Sequence, residues 1–338
     1  MPYRLLLSRA AHERFGERIA RAFGDRAHEP VFVDDVADPA AVRADLAWLS
    51  RDITGKSTKF KLAPAMQRFF DALAASPNLR WLQVHSAGTD RPVYPPLLER
   101  GVIVTTASGA SARTMGVSVL GGMIALHRGF PKQWDAQKRH AWEPLDEVAG
   151  PAEFAPAHAI VVGLGPIGRE IARLLKAFGF SVTGVRRTAE PVPECDETIA
   201  YGALASRMPA ADWLVLACPL TEATRGLVDG NAFSRLKPGA RLVNVARGEV
   251  VVEDEMARAL RDGRLAGAWL DVFTHEPLDP ASPLWDLPNV IVSPHSSSRS
   301  DGHYDFVGDI FLDNLARWRD GRALRNVSLN APASEASP

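Results

Sequence analysis

Apolar and polar positions follow two rhythms along this chain. Short apolar runs at Leu5–Ser8, Val31–Val33, Leu46–Leu49, Arg80–Val84 and Val102–Thr105 predict buried strands. Helical spacing separates them over His12–Phe23, Ala65–Ala75 and Tyr94–Arg100. That alternation predicts a small open α/β sheet over about the first hundred residues. From residue 159 the rhythm returns, with strands expected at Ile160–Val162, Phe180–Val185, Ala211–Ala217, Ala240–Val245, Gly267–Asp271 and Val290–Val292. Helices fall between them, one over Met256–Arg261, and six such strands fit a doubly wound dinucleotide-binding sheet. Residues 111–142 carry a long, mostly helical pattern with no proline before Pro131. Its small apolar face, Met115–Met123, predicts close approach of another backbone, either the core of the same molecule or a second subunit. Trp134, Trp142 and the 144–156 stretch read as an arm that rejoins the second sheet. A last helix, Tyr304–Arg319, places Phe306, Ile310, Phe311, Leu315 and Trp318 on one stripe, and residues 331–338 read as a disordered polar tail.

The second rhythm opens on a βαβ unit. The strand breaks into Gly163-Leu164-Gly165-Pro166-Ile167-Gly168, and a helix patterned by Ile171, Leu174, Leu175 and Phe178 follows at once. Each glycine has its own reason: Gly163 for the tight turn, Gly165 for close approach of backbone to a pyrophosphate, Gly168 for helix–strand packing. The free N–H groups and positive dipole end of the helix then face the phosphates. An NAD-specific site carries an acidic residue about 20 residues on, to hold the ribose 2′-OH. Here that place falls at Arg186, and the run is Arg186-Arg187-Thr188. Guanidiniums cannot accept hydrogen bonds from a ribose, but they suit a 2′-phosphate as bidentate donors. NADPH is the preferred cofactor on this reading, with NAD as the alternative.

Composition narrows the rest. A chain of 338 residues, 46% hydrophobic and 23% charged, has room for two domains with proper cores. A net charge of −1 gives no electrostatic case for nucleic acid or an anionic membrane, and no apolar run approaches the ~20 residues of a bilayer span. The start, Met1-Pro2-Tyr3-Arg4, is no signal peptide. Two separated cysteines, Cys195 and Cys218, point to a cytoplasmic protein without a metal site, Cys218 serving as a small core hydrophobe.

Three charged residues stand just beyond strands of the second sheet: Arg247 after Asn244, Glu276 in the loop that follows Asp271, and His295 after Val292. The crest of such a sheet is where a nicotinamide lies. A carbonyl that receives hydride needs a proton donor, and histidine is tuned for that near neutral pH. A carboxylate beside it favours the imidazolium, and an arginine clamps a substrate carboxylate. In the first sheet, the loop His85-Ser86-Ala87-Gly88-Thr89-Asp90 directly follows a strand, and its small residues expose N–H groups fit for an anion.

These residues resemble the D-isomer-specific 2-hydroxyacid dehydrogenases, particularly the glyoxylate/hydroxypyruvate reductase branch. The resemblance covers about residues 80–320 and rests on Val162–Gly168, Pro219–Leu227, Leu236–Ala240 through Arg247-Gly248, Ala268–Phe273 with Glu276-Pro277, and Ser293-Pro294-His295. It implies two Rossmann-like domains: a smaller, flavodoxin-like substrate domain from residues 1–107 and 296–330, and an NAD(P)-binding domain over 108–295 whose dimerisation helix and arm occupy about 111–150. It implies Arg247 on the substrate's carboxylate and carbonyl, His295 as acid/base, and Glu276 paired with His295. Cofactor contacts are implied at Gly163, Gly165, Pro166, Ile167, Gly168, Cys218, Pro219, Thr224, Val245, Ala246, Asp271, His295 and Ser297, beside Arg186, Arg187 and Thr188. Asp271 would hold the nicotinamide carboxamide, with a helix cap as its plainer role. Substrate contacts are implied at Ser86, Ala87 and Gly88, and Trp142 is the tryptophan of the arm that would reach a partner's site in a homodimer.

The chain departs from the family in lacking an acidic residue over Met115–Ser118, and Ser293-Pro294 lacks the glutamine that formate dehydrogenases carry before their histidine. The expected activity is NADPH-dependent reduction of small 2-keto acids, glyoxylate or hydroxypyruvate first, to D-2-hydroxy acids. A dinucleotide-sensing binding protein of the same fold, and a dehydrogenase of bulkier keto acids, are the alternatives.

Overall fold

Strands rich in buried apolar side chains form two parallel sheets. The computed structural model describes residues 2–57, 61–145 and 153–328. In chain order, the first sheet takes β1 (Tyr3–Leu7), α1 (Arg9–Phe23), β2 (His28–Phe32), β3 (Leu46–Leu49), α2 (Arg51–Thr54), α3 (Pro64–Ala74), β4 (Trp81–Val84), α4 (Pro95–Glu99) and β5 (Ile103–Thr105). Then follow α5 (Ala112–His127), α6 (Phe130–Lys138), β6 (His158–Val162), α7 (Pro166–Ala177), β7 (Ser181–Arg186), β8 (Glu197–Ala200), α8 (Leu204–Arg207) and β9 (Trp213–Leu216). The second sheet closes with α9 (Gly230–Arg235), β10 (Ala240–Asn244), α10 (Glu253–Arg261), β11 (Leu265–Leu270) and β12 (Val290–Val292), before α11 (His303–Arg319).

The first sheet has the order β2-β1-β3-β4-β5, the flavodoxin-like pattern, and the second β12-β11-β10-β9-β6-β7-β8, the doubly wound pattern extended by one strand. Contacts divide the chain into a first unit, residues up to Ala110 with those from Asp301 onward, and a second, Ser111–Ser300. The boundary expected at 295/296 moves to 300/301 because Ser296 and Ser297 donate backbone hydrogen bonds to Asp271 of the second unit.

α11 belongs to the first unit. Phe311 stacks on Trp48 at 4.3 Å and Trp81 at 5.7 Å, while Arg14 and Arg18 of α1 hold Asp305 at 2.8 Å and Asp309 at 2.5 Å. Phe306 is 54% exposed and leaves the expected stripe, and Val307 takes the inward place. Phe178 caps α7 from outside and is likewise exposed, since the helix ends at Ala177.

Two further expectations change. The second sheet has a seventh strand, β8, missed because it is a four-residue edge strand with one buried side chain, Ile199, paired only with β7. The long 111–142 pattern is two helices, broken at Gly129 (φ 66). The small face of α5 packs inward: a Cβ on Gly122 would fall 2.6 Å from the Trp269 ring, and one on Gly116 2.9 Å from Glu170 and Leu174. Gly116 and Gly122 therefore face the core of their own unit, while Val117 of the same stretch is 57% exposed. Much of the arm, residues 146–152, and the 331–338 tail lie outside the described residues. Among the described residues no helix is long and apolar enough to cross a membrane, and no cluster of His, Cys, Asp or Glu is placed to hold a metal ion. Cys218 packs in the core, and burial pushes its thiol up to about 12.

Candidate functional site

The strand order of the second sheet reverses at β6, which lies between β7 and β9, so a crevice forms at its carboxyl edge. Gly163 turns the chain there with φ 96, and a Cβ on it would meet Cys218 N and Cα at 2.5 Å. A Cβ on Gly168 would fall 1.7 Å from the Gly163 carbonyl oxygen, so no other residue fits. Above Gly165 lies open space; it is the N-cap of α7 and provides no side-chain acceptor to the helix, whose first N–H groups stay free for an anion. Pro166 opens the helix without a donor to waste, and Ile167 is half-buried behind it. These features fit the pyrophosphate of a dinucleotide. Arg186 ends β7 beside the exposed Arg187 and Thr188, and its nearest carboxylate, Glu190, stands 3.6 Å away and 72% exposed. Such a surface pair contributes little and yields readily to a phosphate.

Along the same edge the three loops after β10, β11 and β12 meet. Asn244, 2% exposed, ties the first: its Oδ1 accepts from Ala246 N at 3.0 Å and its Nδ2 donates to Arg247 O at 3.1 Å. Arg247 donates from Nη1 to Ala246 O at 2.6 Å. Gly248 then passes so near the next loop that a Cβ would fall 1.9 Å from Phe273 C. In that loop Glu276 Oε1 accepts from Phe273 N at 3.2 Å and Oε2 lies 2.8 Å from His295 Nδ1. Burial would raise the Glu276 carboxyl, but the His295 contact, the Phe273 N–H and the charge of Arg247 together hold it below its ordinary range. With Nδ1 engaged by the carboxylate, Nε2 is the ring nitrogen left for proton exchange, and the ring is 47% exposed. The sequence brings these three to adjacent loops, and the structure brings Glu276 and His295 into contact.

Residues 120–297 match the family model described as D-isomer specific 2-hydroxyacid dehydrogenase, NAD binding domain. The chain belongs to the D-isomer specific 2-hydroxyacid dehydrogenase family. It is 30% identical over 257 residues to a mouse (Mus musculus) glyoxylate reductase/hydroxypyruvate reductase, an alignment covering 74% of this chain and 77% of that one. A D-isomer specific 2-hydroxyacid dehydrogenase family protein from Aeromonas salmonicida superposes with a TM-score of 0.77 at 29% identity, covering 96% and 98% of the two chains. An NADPH-dependent glyoxylate/hydroxypyruvate reductase from Sinorhizobium meliloti, solved with NADP and sulfate, does so with 0.75 at 26%, covering 97% and 98%.

In this dehydrogenase several residues expected at the cofactor make defined contacts within the chain. Asp271 is 1% exposed; its Oδ1 accepts from Ser293 Oγ (2.7 Å), Ser296 N (2.9 Å) and Ser297 N (3.2 Å), its Oδ2 from Ser297 Oγ (2.5 Å), and its carbonyl from His295 N (2.9 Å). Its carboxylate takes these donors from the 293–297 loop and clamps it, and the clamped loop holds His295 at φ 49, an unusual backbone for a non-glycine. Ser297 spends its hydroxyl on Asp271 and its carbonyl on Ser118 Oγ at 3.1 Å. Thr224, 1% exposed, accepts from Thr221 N at 2.8 Å and donates to Pro219 O at 2.7 Å, stapling its own turn. Val245, Ala246 and Cys218 are buried wall residues.

Ser86, Ala87 and Gly88 lie just past β4, at the carboxyl edge of the first sheet, with the Ser86 hydroxyl donating to Gly88 O at 2.8 Å. Trp142 is 95% exposed. Reasoning from sequence missed Asn244 and the clamp role of Asp271; the one signal for Asn244 was an amide following the apolar pair Leu242-Val243 at a strand's end.

Proposed function

We propose that this family member reduces small 2-keto acids, glyoxylate and hydroxypyruvate first, to D-2-hydroxy acids with a preference for NADPH. The 2.8 Å contact between His295 Nδ1 and Glu276, one loop away from Arg247, carries the reading. Gly163, Gly165, Pro166, Ile167 and Gly168 would hold the dinucleotide's pyrophosphate, and Arg186 with Arg187 and Thr188 its 2′-phosphate. When bound, the reduced nicotinamide supplies a hydride to the keto carbon.

The chain's own residues do the rest. Arg247 binds the substrate carboxylate as a two-pronged donor and fixes the carbonyl's orientation. His295 gives the proton from Nε2 to the carbonyl oxygen as it becomes an alkoxide. Glu276 holds the imidazole in place and favours its protonated form. Ala87 and Gly88 are assigned as amide donors to the substrate. The relatives' names and the NADP bound to the Sinorhizobium structure support the substrate and cofactor preference. The protein works as a cytoplasmic homodimer in this reading, the exposed Trp134 and Trp142 of the arm being covered by the second copy, where Trp142 meets the partner's substrate.

Initial rates with glyoxylate, hydroxypyruvate, pyruvate and phenylpyruvate, each with NADPH and NADH, test this. NADPH should lead by roughly tenfold to a hundredfold per arginine, at about 1.5–3 kcal/mol for each charge-assisted contact. His295→Ala should lower kcat by about 10³-fold while leaving NADPH binding intact. Equal kcat/KM for both cofactors rejects the preference, and wild-type kcat in His295→Ala rejects the mechanism.

A further inference from the structure

The first unit has a second feature, at the edge of its sheet opposite the Ser86–Gly88 loop. A depression of about 590 Å³ opens where Tyr3 begins β1, Arg80 precedes β4 and Arg100 precedes β5, closed on one side by Trp318 of α11. That volume lies within the range of small-molecule sites. Three arginines line it, Arg26, Arg80 and Arg100, and no aspartate or glutamate does.

Arg4, Arg14, Arg18 and Arg319 of the same unit each hold a carboxylate. The three around the depression hold none among the described residues. Arg26 donates only to the Tyr3 hydroxyl, at 3.3 Å. Arg100 is tied by backbone carbonyls at the end of α3, donating to Leu73 O at 3.1 Å and Ser76 O at 2.5 Å, which fixes its charge in place without neutralising it. The exposed Arg80 side chain makes no hydrogen bond or ion pair among the described residues. Three like charges around one hollow repel each other, and a multiply charged anion removes that repulsion while using their forked donors. The Tyr3 and Trp318 rings offer an apolar wall for an organic body.

We infer that this depression binds a small phosphate monoester. A dianionic phosphate matches three guanidiniums better than a single carboxylate does, and the aromatic wall separates an organic phosphate from the free ion. This site does not depend on the proposed reductase activity, and it lies at the opposite edge of the sheet from the loop assigned to substrate.

Calorimetric titration of glycerol phosphate and of inorganic phosphate into the full chain saturated with NADP tests it. One saturable site is expected, tighter for glycerol phosphate, and weakened roughly tenfold or more by Arg80→Ala and by Arg26→Ala. Arg80→Lys, which keeps the charge and loses the fork, should fall between. Arg186→Ala/Arg187→Ala should bind like the wild type, which separates this site from the nucleotide crevice. No saturable binding to the wild type, binding that survives both single arginine variants, or binding lost in Arg186→Ala/Arg187→Ala would each overturn the assignment.

Discussion

Two sheets of the same winding meet their ligand-facing edge with opposite local chemistry. In the second unit the turn after β6 is glycine, with open space over Gly165 and no side chain capping α7. In the first unit the turn after β1 is Ser8, whose hydroxyl caps α1 by accepting from Ala11 N at 3.0 Å. There the Asp34 carboxylate accepts from Arg9 N at 2.6 Å, filling the place an external anion would take. A helix N-terminus becomes a phosphate site only where the chain withholds its own acceptors. The histidines differ in the same way. His295 sits against a carboxylate, whereas His85, also just past a strand, bonds Thr54 at 2.8 Å and is driven to about 3 by burial, then by the charges of Arg51 and Arg91. One is arranged to carry a proton and the other to stay neutral.

The sharpest way to break this contrast is Gly168→Ala. With a Cβ 1.7 Å from the Gly163 carbonyl, the turn must move, and NADPH affinity should fall by more than a hundredfold in a fluorescence titration. Unchanged affinity would mean the glycine turn does not hold the cofactor. Next comes Glu276→Gln. Keto-acid reduction should lose roughly tenfold to a hundredfold in kcat/KM, because the amide no longer holds the imidazole as the carboxylate does. At the acid end the wild-type pair persists until pH falls through the lowered Glu276 value, so an acid limb set by this carboxyl should lie below the ordinary carboxylate range and be absent from Glu276→Gln. A profile identical to the wild type's would remove Glu276 from the mechanism.

His85 tests the neutral half of the contrast. Its folded-state value lies below the unfolded one, so the unfolded chain binds the extra proton between about 6.5 and 3, and stability falls as pH drops through that window. Between pH 7 and pH 5 the wild type should lose about 2 kcal/mol more than His85→Gln by urea unfolding. Parallel losses in the two proteins would show that His85 is not held neutral. The smallest effect is expected for Ser8→Ala, about 1 kcal/mol of stability with NADPH binding untouched, since it removes a cap and no ligand contact. A loss of cofactor affinity in that variant would contradict the division of labour between the two turns.

Much of the nucleotide turn was legible in the sequence because its rules are local. Gly168 acts on the backbone of Gly163 only five residues away, although Gly163 also makes room for the distant Cys218, and a buried parallel strand such as Val161-Val162 announces itself by composition alone. The open α/β class of both sheets followed once the strands alternated with helices, whereas the strand orders came with the fold. The edge strand β8 escaped, since Glu197–Ala200 has only Ile199 to bury and resembles a loop.

What the sequence determined alone was therefore the winding of the chain, the phosphate-ready turn and the order of Arg247, Glu276 and His295 along one edge. What tertiary structure decided was the use of each polar atom. Asp271 became a clamp because serines some 22 to 26 positions later fold back onto it, and the Arg80 side chain was left without an ion pair among the described residues. Local sterics are written in neighbouring residues, whereas hydrogen-bond partners are chosen by contacts between segments far apart in the chain, and only the packed fold assembles those.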